Sequence, residues 1–484
     1  MRRYRMFSLL FVLAFAPVLL AQEAFYRPAI QPADIDAAIG SSWYGLYLKD
    51  KKIGYSKIST ERAGDNVVET MVLNMKLVSF DKKAEVNILQ TSTFEGKEPF
   101  RLIESSMTVN DGASKTQISA KRQGKGFDYV VTAGGVKTSR QADDLGYTLA
   151  DSLAPEVWLR KGPKLDDKIL VRSLDLEDWK FDNVTHTLKA VKKSLVGGID
   201  VKFHEIESRS AKLMFSYLSR HDEKGKILSS HIALFELRRE TEEQAKNTEY
   251  SSDIFVLGSA KVDAKLGPTT RLTELILEVQ GVEPDFLRDS PRQSVVKQGK
   301  ASIVQVGKRY GKAMKPSEAE IKEALSETNS YPISNAKIKE LAKKAVGDAK
   351  TDEEKVKRIV AFTHGYLTPE LIATLPNIHD LLEKKRGDCK CYSLVVTNLC
   401  RAAGVPCREV AGLIYMGDDA KAFGGHAWNE VLIGGVWVPI DATLNQTDLD
   451  AGHISFGEMR SATTAILQSA GKLSFRLVSA TSIR

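Results

Sequence analysis

The sequence predicts a multidomain chain in which an all-β N-terminal region is followed by an α+β C-terminal domain. Three observations carry this expectation. At 484 residues the chain is too long for one ordinary domain. From about Trp43 to about Arg239 polarity alternates with a period of two. Near Pro316 the apolar spacing changes to that of helices. A content of 43% hydrophobic and 27% charged residues suits a globular protein with a proper core.

The first element is not part of the fold. "MRRYRMFSLLFVLAFAPVLLAQEAF" has a basic start at Arg2, Arg3 and Arg5, an apolar stretch from Met6 to Leu20, and Ala21 as the cleavage residue. This reads as a secretory signal peptide over residues 1–21, and Pro17 interrupts a run already too short to remain as an anchor. Its removal lowers the formal charge from +7 to +4 with the loss of those three arginines. So small an excess argues against nucleic-acid binding. No later segment is long and apolar enough to span a membrane. The expected location is therefore periplasmic or extracellular, with no stable membrane insertion once the signal is cut.

The β-rich region follows over residues 22–310, divisible into 22–250 and 251–310. In "TMVLNMKLVSF", Met71, Leu73, Met75 and Leu77 alternate with Thr70, Val72, Asn74 and Lys76, as one face of a half-buried strand requires. Turn signals recur at Asp50-Lys51, Gly124 to Gly126, Gly134-Gly135 and Gly225. The pattern predicts a large curved antiparallel sheet or an open barrel-like sandwich. "RLTELILEV" and "ASIVQV" extend the strands beyond residue 252. The C-terminal domain then occupies 311–484. "NAKIKELAKKAVG" reads as a helix with Ser334 as its cap and Gly347 as its stop, and Thr351 to Glu354 forms a capping box opening the next.

The chemistry concentrates in "KKRGDCKCYS" (384–393), which holds two of only four cysteines. Gly387 and Asp388 are loop and cap residues ahead of the apolar helix "CYSLVVTNLCRAAG". A thiol at such a helix start meets unpaired N–H groups and the positive end of the macrodipole, which favour thiolate. At roughly 100° per residue, Cys389 and Cys391 point about 200° apart, so they share neither a cleft nor a metal. No second cysteine or histidine pair stands at zinc spacing, so no metal is expected. Cys391 and Cys400 lie about 13 Å apart along the helix, too far for a disulfide. Buried free thiols are the expectation for Cys400 and Cys407, with a bridge between them left open.

Downstream stands "FGGHAWNEVLIGGVWVPIDATLNQ". If its hairpin centres on Gly434-Gly435, residue 428 faces residue 441, and His426 is a diagonal neighbour of Asp441 on the same face. A slip of one residue would separate them. This register lets Asp441 hold His426, with His426 turned towards the helix that carries Cys389.

"GDC" opening an apolar helix, "RAAGVPCREVAGLIY", "HAWNEV" and "WVPIDAT" resemble the transglutaminase-like core, a papain-like superfamily of cysteine acyl-transfer enzymes and amide hydrolases. The resemblance covers roughly residues 335–460. It implies Cys389 as nucleophile, His426 as base, Asp441 as the third member, and no cofactor. It also implies an exported bacterial type with a long N-terminal β region. In animal transglutaminases an upstream tryptophan supplies an oxyanion donor. No tryptophan lies between Trp179 and Trp428, which leaves the Cys389 N–H as the donor to name. Trp428, Glu430 and Trp437 are expected as core and strand-pairing residues, and His364 and His379 as surface or structural ones.

The expected activity is attack by Cys389 on a peptide or protein amide, with water or a second amine resolving the thioester. The competing reading is a catalytically silent envelope binding or assembly module in which the β region is the working part. The full Cys-His-Asp set speaks against it, and the missing tryptophan for it. The substrate, the choice between hydrolysis and transfer, and the oligomeric state are not encoded legibly.

Overall fold

A computed structural model describes residues 24–482, apart from positions 49, 80–81, 113, 197–198, 211–215, 233–234, 249, 251–258, 283–285, 308–314, 373–375 and seven positions between 460 and 470. The expected signal peptide lies outside the described residues.

Among the described residues, fourteen antiparallel strands form one sheet. The first eight, Gly40–Leu48 through Val136–Asp143, pair in chain order, and so do the last six, Lys168–Asp175 through Phe235–Glu240. The halves join where Gly40–Leu48 pairs with Phe235–Glu240. The two outer strands are thus neighbours in sequence, and the turn after the second closes the gap between them. Trp179 Nε1 donates to the Asp143 carbonyl at 2.9 Å, and Tyr129 Oη donates to the Leu176 carbonyl at 2.9 Å. Phe127, Tyr129, Leu149, Val157 and Trp179 fill the interior there. Each fully buried side chain of this size contributes about 1.5–3 kcal/mol. The expected curved, barrel-like sheet is what the alternation produces.

Among the described residues, a second sheet of nine strands runs in the order Gln293–Gln298, Ala301–Gly307, Leu272–Gln280, Ser474–Ser482, Ala260–Val262, Ala422–Ile433, Cys407–Tyr415 and His453–Glu458, with Val436–Ile440 paired to Ala422–Ile433. The stretch 251–310, expected with the N-terminal β region, therefore contributes its strands to the C-terminal domain. Leu272–Gln280 hydrogen-bonds to Ser474–Ser482, and Leu275, Leu277, Val304, Val306, Phe423 and Phe475 form one core. Burial against these distant partners decides the grouping, and local alternation cannot show it.

Helices Ala336–Val346, Asp352–Tyr366, Ile378–Lys384 and Cys389–Ala402 pack beside this sheet. Ile338, Leu341, Ile359, Val395, Val396 and Leu399 are buried together with Val431 and Ile440. The first of these helices is capped by Asn335, whose side chain accepts from the Lys337 and Ile338 N–H groups, one residue later than the expected Ser334. Gly347 ends it with a positive φ of 56°, and Thr351 with Glu354 forms the expected capping box of the next. No helix among the described residues is long and apolar enough to cross a membrane.

Candidate active site

The Cys389–Ala402 helix begins at Asp388, whose carboxylate accepts from the Lys390 N–H at 3.1 Å and pairs with Lys390 Nζ at 2.8 Å. Cys389 is partly exposed, whereas Cys391, two positions on, is fully buried. Burial pushes the Cys391 thiol up to about 12. The two thiols thus point apart, as helical rotation requires. Gly387 is needed beneath them, because a Cβ there would overlap the Cys391 side chain.

Across from the helix start, the hairpin has the expected register. Gly434 and Gly435 turn with positive φ values of 59° and 80°. Ile433 pairs with Val436 and Asn429 with Ile440, which sets residue 428 opposite 441. His426 lies four residues inside the strand Ala422–Ile433. Its Nε2 stands 2.7 Å from Asp441 Oδ2. The Asp441 bond leaves Nδ1 as the uncommitted ring nitrogen, and Cys389 is an electrostatic neighbour of this ring. Burial works against charge on His426, but the bond to Asp441 and the interaction with Cys389 outweigh it and raise its pKa to about 10. Burial likewise opposes charge on Asp441, yet its histidine partners hold the carboxyl well below the usual carboxylate range. Asp441 Oδ1 also accepts from the Thr443 N–H at 2.7 Å and the Leu444 N–H at 3.3 Å.

A second histidine stands on Asp441 that the sequence reading did not single out. His453 Nε2 lies 3.3 Å from Asp441 Oδ2, and His453 Nδ1 lies 3.1 Å from Asp450 Oδ1. Trp428 closes the side of the cluster. Its ring stacks on His426 at 6.0 Å between centroids and 27° between planes, and meets His453 edge-on at 5.4 Å. Trp428 is buried as expected, but it also packs on the base. Gly412 makes room for it, since a Cβ at 412 would overlap the Trp428 ring and the Ile454 carbonyl.

The other residues weighed from sequence have structural surroundings. Glu430 is buried and paired with Arg408 Nη2 at 2.6 Å, and that guanidinium lies 4.3 Å over the Trp437 ring. His364 Nδ1 lies 3.0 Å from the Ala442 carbonyl. Burial lowers the His379 pKa. Cys400 and Cys407 are free and buried.

The ligand atoms of His426, Asp441 and His453 lie within 4.8 Å of one another, so this trio could also hold a metal ion. Both Nε2 atoms are engaged in hydrogen bonds to the same carboxylate oxygen. A cavity of about 1180 Å³ lies elsewhere, between the first sheet and the helical side of the second domain, lined by Tyr129, Arg140, Tyr331, Arg408, Glu409 and Trp437. It contains none of Cys389, His426 and Asp441.

Comparison with protein families finds the description "transglutaminase-like superfamily" for residues 339–442, a span that holds Cys389, His426 and Asp441. These residues form a transglutaminase-like domain. No curated protein matches the chain in sequence. Among solved structures, a candidate cysteine protease from Cytophaga hutchinsonii is similar at 17% identity and TM-score 0.27, over 44% of this chain and 84% of that one. A β-barrel-like protein from Brucella abortus is similar at 8% identity and TM-score 0.31, over 41% of this chain and 94% of that one. A candidate protease from Parabacteroides distasonis is similar at 11% identity and TM-score 0.19, over 76% and 69%. The transglutaminase-like domain thus extends in three dimensions beyond the matched span, since its sheet draws strands from 260–307 and 474–482.

Proposed function

We propose that the chain is a cysteine-dependent enzyme acting on peptide or protein amides. The observation that carries this reading is the bond of His426 to the buried Asp441 at 2.7 Å, with Cys389 at a helix start as an electrostatic neighbour of the same ring. His426 holds the proton given up by the thiol, with Nδ1 towards Cys389, and Cys389 Sγ attacks the carboxamide carbon as thiolate. The developing oxyanion is met by the Cys389 N–H, one of those at a helix start with no intrahelical acceptor. His426 then gives the proton to the departing amine. Water or a second amine, deprotonated by the same ring, attacks the thioester and releases Cys389. Asp441 keeps His426 in one tautomer and orientation.

This activity belongs outside the cytosol, after loss of residues 1–21. The thiols fit an oxidising compartment because Cys391, Cys400 and Cys407 are fully buried and only Cys389 meets solvent. The test is iodoacetamide labelling at pH 6 with mass spectrometry, followed by turnover of a cell-envelope peptide library. Labelling should concentrate on Cys389 and fall at least about tenfold in His426→Gln. Equal labelling of both proteins, with no hydrolysis or amine incorporation, would return the chain to the silent-module reading.

A further inference from the structure

We infer that the cavity between the two regions is a binding site for a peptide segment carrying a lysine or arginine side chain, with Glu409 as the group that receives the cation. This goes beyond the reading of Cys389 and does not depend on it, since the cavity contains none of Cys389, His426 and Asp441. Both regions build it. Tyr129, Thr138 and Arg140 stand on the wall given by the first sheet, and Tyr331, Glu409 and Trp437 on the other. Asn329 ties the walls together, its Nδ2 donating to Tyr129 Oη at 2.8 Å. The Gly134 turn, at a positive φ of 54°, lies so close to His379 that a Cβ at 134 would overlap that side chain.

Among the described residues, two buried polar atoms of this lining have no partner. Glu409 is 9% exposed and its Oε1 accepts no hydrogen bond, while Trp437 is 3% exposed and its Nε1 donates none. Leaving such groups unpaired is costly, so they mark where an occupant supplies what the fold does not. Burial pushes the Glu409 carboxyl up to about 7, and Arg401 and Tyr331 favour its charge without reversing this. Arg401 is committed elsewhere. Its Nε donates to the Cys407 carbonyl at 2.9 Å, its Nη1 to the Ser326 carbonyl at 3.0 Å, and its guanidinium lies 4.2 Å over the Tyr331 ring. A cation brought in by an occupant would complete the carboxylate. Trp437 offers only a donor, and a peptide carbonyl is the acceptor that fits it. The charge of the lining agrees, with seven carboxylates against four lysine or arginine side chains. Such an excess in a cleft concentrates cations. The volume of about 1180 Å³ exceeds the roughly 300–1,000 Å³ of small-molecule pockets and admits a short stretch of chain.

The test measures fluorescence anisotropy at physiological salt on the full chain carrying Cys389→Ala, in which the probe is not turned over. The probe is a fluorescein-labelled decapeptide of glycine and alanine with blocked ends and one central lysine. Matched peptides carry norleucine or glutamate in its place. The lysine peptide should bind saturably and at least about tenfold more tightly than the norleucine peptide, with the glutamate peptide weakest. Glu409→Gln keeps the shape and removes the charge. It should weaken the lysine peptide about tenfold, to the level of the norleucine peptide. Thr138→Trp fills the cavity from the first sheet at an exposed position, and should abolish binding of the lysine peptide with an unchanged thermal transition. Spermidine brings ammonium groups but no carbonyl for Trp437, and should displace the probe only at concentrations about tenfold above those of unlabelled lysine peptide. No saturable binding, equal affinity for the lysine and norleucine peptides, or full affinity in either variant would overturn the site. Displacement by spermidine as readily as by the peptide would overturn the peptide as its occupant. Iodoacetamide labelling of Cys389 is read on the wild type, so either proposal can fail alone.

Discussion

The two sheets bury histidines to opposite ends. In the fourteen-stranded sheet, burial lowers the pKa values of His186 (to about 4), His204 and His221, and no carboxylate bond reverses the effect. His186 Nδ1 meets the Ser208 hydroxyl at 2.7 Å, and His221 meets a hydroxyl and a carbonyl. In the second domain, the side chains of His426 and His453 are 7% and 3% exposed, yet their pKa values rise because Asp441 and Asp450 face them. Burial alone makes a histidine an uncharged polar spacer. Burial against a carboxylate makes it a proton store. The difference separates a scaffold from a site without reference to any motif.

The sharpest way to break this comparison is to remove parts of the store. Cys389→Ala should abolish turnover, since no other group supplies the attacking atom. Asp441→Asn keeps nucleophile and base but gives His426 the wrong partner, so steady-state turnover should fall about 10²- to 10⁴-fold. Turnover in Asp441→Asn equal to wild type would mean that the carboxylate is structural, like those of the first sheet.

A smaller effect separates the regions by pH. For a histidine whose folded pKa is raised, the stabilisation is complete below the unfolded value of 6.5 and is lost as pH rises towards the folded value, about 10 for His426. Between pH 7 and 9 the second domain should therefore lose about 2–3 kcal/mol on account of His426. In the first sheet, the shifted histidines titrate below pH 7, and Glu69, raised by burial to about 7, is half titrated there and finishes about one unit above. Its stability should change by less than about 1 kcal/mol over the same interval. Calorimetry at several pH values, with each transition assigned by proteolysis and mass spectrometry, checks this. Parallel pH slopes for both transitions would contradict it.

The smallest effect is expected at the thiol that points the wrong way. Cys391→Ser should keep turnover within about twofold of wild type while costing about 1–2 kcal/mol for a hydroxyl placed in an apolar core. Loss of turnover with normal stability would put the nucleophile at 391.

What was legible in the sequence was whatever short-range geometry determines. Helical rotation separates Cys389 from Cys391, and a two-residue Gly434-Gly435 turn fixes the register that brings His426 to Asp441. His453 was not legible, because a loop and the antiparallel pairing of Ile414 with His453 bring it to Asp441. Neither leaves a local pattern, although Asp450 and His453 three residues apart were a signal that could have been weighed. The strands at 260–307 were recognised as strands and grouped with the N-terminal β region, and their pairing with Ser474–Ser482 was not legible for the same reason. Alternation tells which residues face a core, and says nothing about whose core it is.

The strand Ser474–Ser482 has a consequence for how the molecule comes together. It lies inside the second sheet, parallel to Ala260–Val262 on one side and antiparallel to Leu272–Gln280 on the other. Leu272 meets Ser482 across roughly two hundred residues of chain, among the longest loops this topology closes. The sheet that carries His426 is thus two pieces until its seam is sewn by a segment made after all three proposed catalytic residues. During synthesis Cys389, His426 and Asp441 exist before the framework that aligns them is whole. Chain order alone therefore leaves this seam open until synthesis has passed the strand.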